Sequence, residues 1–395
     1  VHSGPEPDRH SFDAKVDERD LRETYLPAFR ATIVEAHAAS VMCAYNRTNG
    51  EPCCVNRKLM TDILRGEWGF DGYVVSDCGA VDDIYKRHHF LDTRVQASAL
   101  AVKSGTDLTC GKEYTSLLEG VKNGLISEAE IDIAVKRLMT ARFRLGMFDP
   151  PELVPYSRIP FSENDSPAHR ELSLKAAHES IVLLKNENNA LPLQKDIKTI
   201  AIIGPNADNQ EVLLGNYNGQ PSKLVTPLAG IRNKLASGAT VLYAPGTIPL
   251  SAAKTTASPS SDPQMLRDDA LNKARQADVV VMFLGISTLV EGEQLRIELE
   301  GFSGGDRTDI SLPKQQEELL EAVQALGKPV VVVLLNGSAL AVNWASDHVP
   351  AILEAWYPGE EGGTAIGGRP VWRLQSGRAS PSYVLQIRHP IATVQ

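Results

Sequence analysis

The stretch Gly72-Tyr-Val-Val-Ser-Asp-Cys-Gly-Ala80 decides how the first half of this chain is read. An uncharged, strand-forming run ends abruptly at an aspartate, with a glycine two residues later. A short apolar run bounded by turn residues reads as a strand buried in a sheet. Upstream, Ser40-Val-Met-Cys-Ala-Tyr45 is a second such run, and it leads into the turn-forming Asn46-Arg-Thr-Asn-Gly50. Downstream, Asp107-Leu-Thr-Cys110 reads as a third short strand. Helical patterns cover 13–40, 57–68 and 92–103, and a longer helical region covers 111–147. Helices alternating with buried strands predict a parallel α/β arrangement, with polar residues gathered at the carboxyl ends of the strands.

Residues 149–167 are proline-rich and read as a linker. A second α/β unit follows, with a helix predicted at 169–186 and another near 314–326. Its strands are predicted at 199–203, 240–243, 279–284 and 329–335. Residues 251–264 are rich in Ser, Pro and Ala and read as a surface loop.

Length and charge narrow the function. A chain of 395 residues has room for two or three domains. Its net charge of −9 argues against a general binder of nucleic acid or anionic membranes and favours a neutral or small substrate. No apolar run reaches the roughly 18 residues that a membrane-spanning helix needs. The five cysteines, Cys43, Cys53, Cys54, Cys78 and Cys110, form no CxxC pair, and no histidines sit at zinc spacing, so no metal is expected. Bridges between Cys78 and Cys110, and between Cys43 and either Cys53 or Cys54, stand beside buried free thiols as alternatives.

Carboxylates carry the candidate chemistry. Asp77 sits at the carboxyl end of a buried strand, the active-site face of a β/α barrel, where it serves as nucleophile, base or metal ligand. The competing reading is a cap on the following helix. A second cluster lies in Gly285-Ile-Ser-Thr-Leu-Val-Glu-Gly-Glu-Gln294, directly after a predicted strand; Glu298, Glu300 and Gly304-Gly-Asp-Arg307 follow it. On composition alone this is a solvated acidic loop. Two carboxylates, one from each domain, are also what a glycosidase requires. Met42, Tyr45, Trp68 and Trp356 suit a sugar site, with core packing as the simpler reading. Gly204-Pro-Asn-Ala207 lacks the spacing and the Lys-Ser/Thr pair of a phosphate loop, and no GxSxG is present.

Tyr73-Val-Val-Ser-Asp-Cys-Gly-Ala80 resembles the nucleophile motif of the family-3 glycoside hydrolases, and Ser40 to Gly50 resembles the strand segment before it. Leu183-Leu-Lys-Asn186, Leu191-Pro-Leu193, Thr199-Ile-Ala-Ile-Ile-Gly-Pro-Asn206 and Glu354-Ala-Trp-Tyr-Pro-Gly359 are similar to later blocks of that family. The likeness runs over about residues 1–366. It implies an α/β protein: the C-terminal part of a (β/α)8 TIM-like barrel over 1–147, a linker over 148–168, and an α/β sandwich domain over 169–366. By resemblance Asp77 is the nucleophile and Glu291 the acid/base, with Glu293 and Glu300 as fallbacks, while Met42 and Tyr45 line the sugar pocket.

The implied activity is an exo-acting, retaining β-glycosidase that releases terminal β-D-glucosyl or β-D-xylosyl residues. Its partners are β-linked oligosaccharides or aryl glycosides, with no nucleic acid and no membrane. It needs no metal or organic cofactor, and members of this kind are mostly exported, hence secreted or periplasmic. A retaining pair of carboxyls stands about 5–5.5 Å apart. The competing reading is an inactive fragment or a non-catalytic carbohydrate-binding remnant. An N-acetylglucosaminidase or phosphorylase variant would put a histidine in the catalytic role; His88 and His89 lie near the nucleophile but on a helix-side segment, and the special motif of that variant is not seen.

The two ends carry expectations of their own. In the family, a Lys-His pair that holds sugar hydroxyls precedes a stretch like Val1-His-Ser-Gly-Pro-Glu6. About three βα units are therefore expected where a complete barrel has eight. Residues 369–395 hold four arginines and no lysine or acid, and codon degeneracy lets a shifted frame from 367 spell a family-like continuation. An out-of-frame tail over 367–395 is the resulting expectation.

Overall fold

The computed structural model describes residues 4–194, 197–235, 238–250, 262–293, 295, 297, 299–372 and 384–385. The chain divides into two compact units, Val1–Pro160 and Phe161–Gln395.

In the first unit, β1 (Ser40–Cys43) and β2 (Tyr73–Ser76) pair in parallel, with Ser40 opposite Tyr73 and Cys43 opposite Ser76. Side chains alternate between faces along a strand, so Val74 and Ser76 are buried while Tyr73 and Val75 are only half-buried. The predicted third strand at 107–110 is reduced to a single bridge between Val75 and Leu108. Helices α1 (Lys58–Glu67), α2 (Ala80–Lys86), α3 (Arg94–Ser104) and α4 (Glu128–Arg144) follow. The sequence marks their ends: Thr93 with Gln96 and Ser127 with Glu130 form capping boxes, and Gly105, at φ +107°, closes α3. The core gathers Ile33, Met60, Leu64, Val74, Val81 and Ile84.

One buried charge anchors this unit. The Asp107 carboxylate has no exposed surface and accepts from Arg65 (2.8 Å), Arg137 (2.8 Å) and the Val74 backbone N–H (2.9 Å). A carboxylate tolerates full burial only with such donors, and here they tie β2 to α1 and α4.

The helix expected over 13–40 needs correction. Asp13–Ala14 is not helical; it pairs in parallel with Arg47–Thr48, which pairs in turn with Glu51–Pro52. Helix begins at Glu18 and winds in wide turns on either side of Pro27, as the bonds Leu26 N–H to Leu21 O and Ala36 N–H to Ala31 O record. The cysteines resolve into Cys43–Cys54 and Cys78–Cys110, and the Cys53 thiol rests 3.4 Å from Thr48 Oγ1.

In the second unit, six strands form one sheet among the described residues: β3 (Val182–Asn186), β4 (Thr199–Ile203), β5 (Thr240–Ala244), β6 (Val279–Gly285), β7 (Val330–Leu335) and β8 (Ala351–Glu354). Their order is β3-β8-β7-β6-β4-β5, parallel except for β3 against β8. The runs Val279-Val-Val-Met-Phe-Leu-Gly285 and Val330-Val-Val-Val-Leu-Leu335 are buried at every position. That is the signature of central strands covered on both faces. Val280, Met282 and Leu284 share one core with α7 (Pro263–Gln276) and α8 (Lys314–Gln324); Val279, Val281 and Phe283 share another with α6 (Pro227–Lys234) and α10 (Gly362–Trp372).

The helix predicted over 169–186 corresponds to α5 (Pro167–Ser180), capped by Ser166, and stops there. Residues 182–186 instead pair antiparallel with β8, because that edge offers backbone partners a continued helix would leave unused. Strand β8, helices α6, α7 and α10, and the short helix α9 (Asn343–His348) were not anticipated. Most of the predicted loop, 251–261, lies outside the described residues. So does most of the predicted tail: residues 367–372 continue α10, and Val384–Leu385 pairs with Leu340–Ala341.

Candidate active site

Strand β2 delivers Asp77 to its carboxyl end, where the Asp77 backbone N–H donates to the Cys43 carbonyl of β1 (3.0 Å). Gly79, at φ +83°, then turns the chain into α2. The Asp77 backbone carbonyl, not its side chain, accepts from Ala80 N–H (3.0 Å), and no side chain caps α2. The helix-capping alternative therefore does not account for the carboxylate.

That carboxylate is held by one oxygen. Asp77 Oδ1 accepts from the Cys78 N–H (2.7 Å) and the Tyr45 hydroxyl (2.9 Å). Oδ2 accepts no hydrogen bond among the described residues, and Asp77 is half-buried. The result is an oriented carboxylate with one oxygen available for chemistry. The Cys78–Cys110 bridge begins at the next residue and joins this turn to the segment that flanks β2.

Tyr45 is buried, and its hydroxyl also lies 3.0 Å from the Cys78 carbonyl. Burial, then the bond to Asp77, pushes the phenol well above its ordinary value, so it stays protonated as a donor. Its ring packs on His10 (4.2 Å between centroids) and under the Arg9 guanidinium (4.8 Å). His10 Nδ1 lies 2.6 Å from Asp83 Oδ2; burial raises the Asp83 carboxyl, and the bond to His10 partly offsets this. Met42 is largely exposed, on the face of β1 opposite buried Cys43. His88 is buried, with Nε2 2.7 Å from the Tyr45 carbonyl, and burial lowers its proton affinity; among the described residues it bonds Tyr45 and makes no hydrogen bond to Asp77.

In the second unit the acidic loop leaves β6 at Gly285. A Cβ there would stand 2.1 Å from the Leu335 carbonyl, so only glycine fits at φ +127°. The buried Gln316 amide holds both the N–H (2.7 Å) and the carbonyl (2.8 Å) of Gly285. Glu291 then turns back toward its own unit. Its Oε1 accepts from Gly337 N–H (2.8 Å) and from the Tyr357 hydroxyl, and its Oε2 accepts from Ser338 N–H (3.1 Å). The Arg307 guanidinium faces it electrostatically, while itself bonded to the Asp309 and Ser311 carbonyls. A Cβ at Gly337 would lie 2.7 Å from Glu291 Oε1 and 2.9 Å from the Tyr357 ring, so a larger residue there would displace this pair. Glu293 is exposed two residues on, and its Oε2 accepts from the Tyr217 hydroxyl (2.6 Å). Glu300 is exposed in a separate turn.

The structure thus joins Tyr45 directly to Asp77 and gives Glu291 an anchoring set of donors. Sequence reasoning missed His10 and Asp83 behind Tyr45, and Gly337, Ser338 and Tyr357 around Glu291. Tyr357 alone had a signal, because it lies in the block Glu354-Ala-Trp-Tyr-Pro-Gly359. Among the described residues no group of three His, Cys, Asp or Glu side chains is placed to hold a metal ion, and no helix is long and apolar enough to cross a membrane.

Residues 4–141 match the glycosyl hydrolase family 3 N terminal domain, and residues 181–369 match the family 3 C-terminal domain. The chain belongs to glycosyl hydrolase family 3. It is 33% identical to a xylan 1,4-beta-xylosidase of Xylanibacter ruminicola, over 93% of this chain and 58% of that protein. Among solved structures it is similar to a family 3 exo-beta-xylosidase in complex with a xylobiose aziridine activity-based probe, at 34% identity and TM-score 0.79, covering 91% of this chain and 44% of that one. It is also similar to a β-glucosidase from Erythrobacter marinus, at 33% identity and TM-score 0.77, covering 90% and 48%. The chain spans about half the length of the curated relatives it matches.

Proposed function

We propose that this chain carries the catalytic carboxylates of an exo-acting, retaining β-glycosidase that removes terminal β-D-xylosyl or β-D-glucosyl residues. The observation that carries the reading is Asp77, fixed through Oδ1 by Tyr45 and Cys78 while Oδ2 is left unbonded among the described residues. In a retaining reaction such a carboxylate attacks the anomeric carbon, and a second carboxyl protonates the leaving oxygen and then activates water. The aryl or sugar leaving group departs with the proton, and water later releases the bound sugar from Asp77.

The second carboxyl is assigned to the loop after β6. Glu291 is the residue that the family pattern first suggests. Its two oxygens, however, already accept three hydrogen bonds from Gly337, Ser338 and Tyr357, which suits an anchor. Exposed Glu293, steered by Tyr217, is the better supported acid/base. Met42 remains proposed as a sugar contact, and Tyr45 as the donor that orients Asp77. The first unit is read as barrel-derived and the second as the α/β sandwich domain of the family. Two disulfides support a secreted or periplasmic destination. The xylosidase and β-glucosidase names of the relatives support both sugars as substrates.

Incubation with activated 2-deoxy-2-fluoro-β-xylosides and -glucosides tests the reading. A one-glycosyl mass gain mapped to Asp77 is expected, and Asp77→Asn should abolish it. A label on another residue, or none on either sugar, refutes the nucleophile assignment. With an unactivated substrate, Glu293→Gln should lose turnover that azide restores on an activated aryl glycoside. The same rescue pattern for Glu291→Gln alone would return the role to Glu291.

A further inference from the structure

Glu354 ends β8 with its side chain fully buried, an unusual place for a carboxyl. Its Oε1 accepts from Trp356 N–H (2.8 Å), while Oε2 is buried without a hydrogen-bond partner among the described residues. On the adjacent strand, Leu334 is the register partner of Glu354, and Asn336 follows two residues later, also buried, with its amide within hydrogen-bonding reach of the Glu354 carboxyl. Asn336 Nδ2 donates to the Ser338 carbonyl (3.1 Å) and so closes the 336–338 turn, yet Asn336 Oδ1 is buried and unpartnered. Each of the two residues thus keeps one buried oxygen without a donor among the described residues.

That turn is the one that grips Glu291, through the N–H groups of Gly337 and Ser338. The third donor, Tyr357, lies three residues beyond Glu354, past the Trp356 N–H that Glu354 itself binds. Both halves of the grip are therefore attached to Glu354.

We propose that Glu354 is a positioning residue for the acidic loop: through Asn336 it sets the 336–338 turn that holds Glu291, and with it the place of Glu293. In its neutral form Glu354 carries a proton on the otherwise unbonded Oε2 and places no charge in the core. Once ionised, it presents a buried charge that no cation among the described residues meets, and the turn loosens. Burial supports the neutral form, pushing this carboxyl up to about 7 against the bonds from Trp356, Asn336 and Ala355. The titratable groups on surrounding elements are Lys185 on β3, bound to Glu187 and the Ser346 carbonyl, His178 on α5, and Tyr357 with Glu291 and Arg307. None of these contributes a charge interaction to Glu354.

The catalytic consequence rests on the reading of this loop as the source of the acid/base; the grip on Glu291 does not. The test uses the full chain with Glu354→Gln, which keeps a buried donor but cannot ionise, and Glu354→Ala. Amide exchange at residues 337 and 338, corrected for intrinsic base catalysis, is followed at about pH 6 and about pH 8. Wild type should lose protection about tenfold or more over that range, the glutamine variant should stay protected, and the alanine variant should be unprotected at both. Turnover of an unactivated β-glycoside should fall about tenfold or more in Glu354→Ala with little change in KM, while an activated aryl glycoside is spared.

Identical exchange in wild type and Glu354→Gln overturns the proposal, and that comparison stands even if the alanine variant does not fold. Exchange as expected with no turnover of either substrate overturns the glycosidase reading and leaves the positioning role standing. Turnover present but insensitive to Glu354→Ala overturns the positioning role alone.

Discussion

Replacing Glu354 by glutamine removes a titration that the native fold displaces from an ordinary 4.5 up to about 7. The sign follows from proton counting. Below about pH 4.5 the carboxyl is protonated in folded and unfolded chain alike, and its stabilising contribution is complete. Between that value and about 7, the folded chain keeps a proton that the unfolded chain has released. Stability therefore falls as pH rises, by about 1.4 kcal/mol per pH unit for this one group. Above about 7 both forms are ionised and the loss levels off, at about 3 kcal/mol in all. Glu354 has no exposed surface, so solvent screening does not reduce this figure. Urea unfolding at about pH 5 and about pH 8, followed by the fluorescence of Trp344 and Trp356, reads the effect. Wild type should lose about 2–3 kcal/mol more than Glu354→Gln over that interval, because every other titrating group is common to both. Equal losses in the two proteins refute the reasoning: Glu354 then ionises in the fold as it does in water.

Asp107→Ala should cost the first unit about 3–5 kcal/mol, because Arg65 and Arg137 lose the carboxylate that justifies their burial; a loss below about 1 kcal/mol in urea titration contradicts the anchoring role. Removing the Cys78–Cys110 bridge, which spans 32 residues, should lower stability by about 3–4 kcal/mol and slow fluoroglycoside labelling of Asp77, read by unfolding and by intact mass; unchanged labelling would separate the bridge from the site. Tyr45→Phe removes a donor to Asp77 Oδ1 without emptying the core, and should slow that labelling by about tenfold or more while thermal unfolding shifts little. Gly285→Ala places a Cβ 2.1 Å from the Leu335 carbonyl at φ +127° and should destabilise the second unit by about 3 kcal/mol or more, with near-native stability in urea as the contrary result.

Sequence alone determined the features that depend on a residue and its near neighbours. Residues 279–284 and 329–335 were legible as strands because an unbroken apolar run suits a buried strand, and the fold puts both in the middle of the sheet. The helix at 92–103 was legible, whereas 111–147 read as one helical region although the capping box at Ser127 starts α4 at Glu128. Asp77 was legible as a strand-end carboxylate, since the run before it is apolar and the turn after it needs glycine. The family blocks were legible for the same local reason.

Tertiary structure decided whatever depends on partners far along the chain. The run Ile181-Val-Leu-Leu184 extends a helix as plausibly as it makes a strand, and only the exposed edge of β8 settles it. Cys53 and Cys54 are indistinguishable by spacing, but adjacent side chains point in different directions, and Cys54 is the one turned into the core beside Cys43. Glu291 and Glu293 look alike in an acidic loop. What separates them is the 336–338 turn and Tyr357, which lie 46 to 66 residues further on. Hydrogen bonds to a carboxylate are local in space and not in sequence. The hydrogen bonding that distinguishes Asp77, Glu291 and Glu293 could therefore be seen only once the chain was folded.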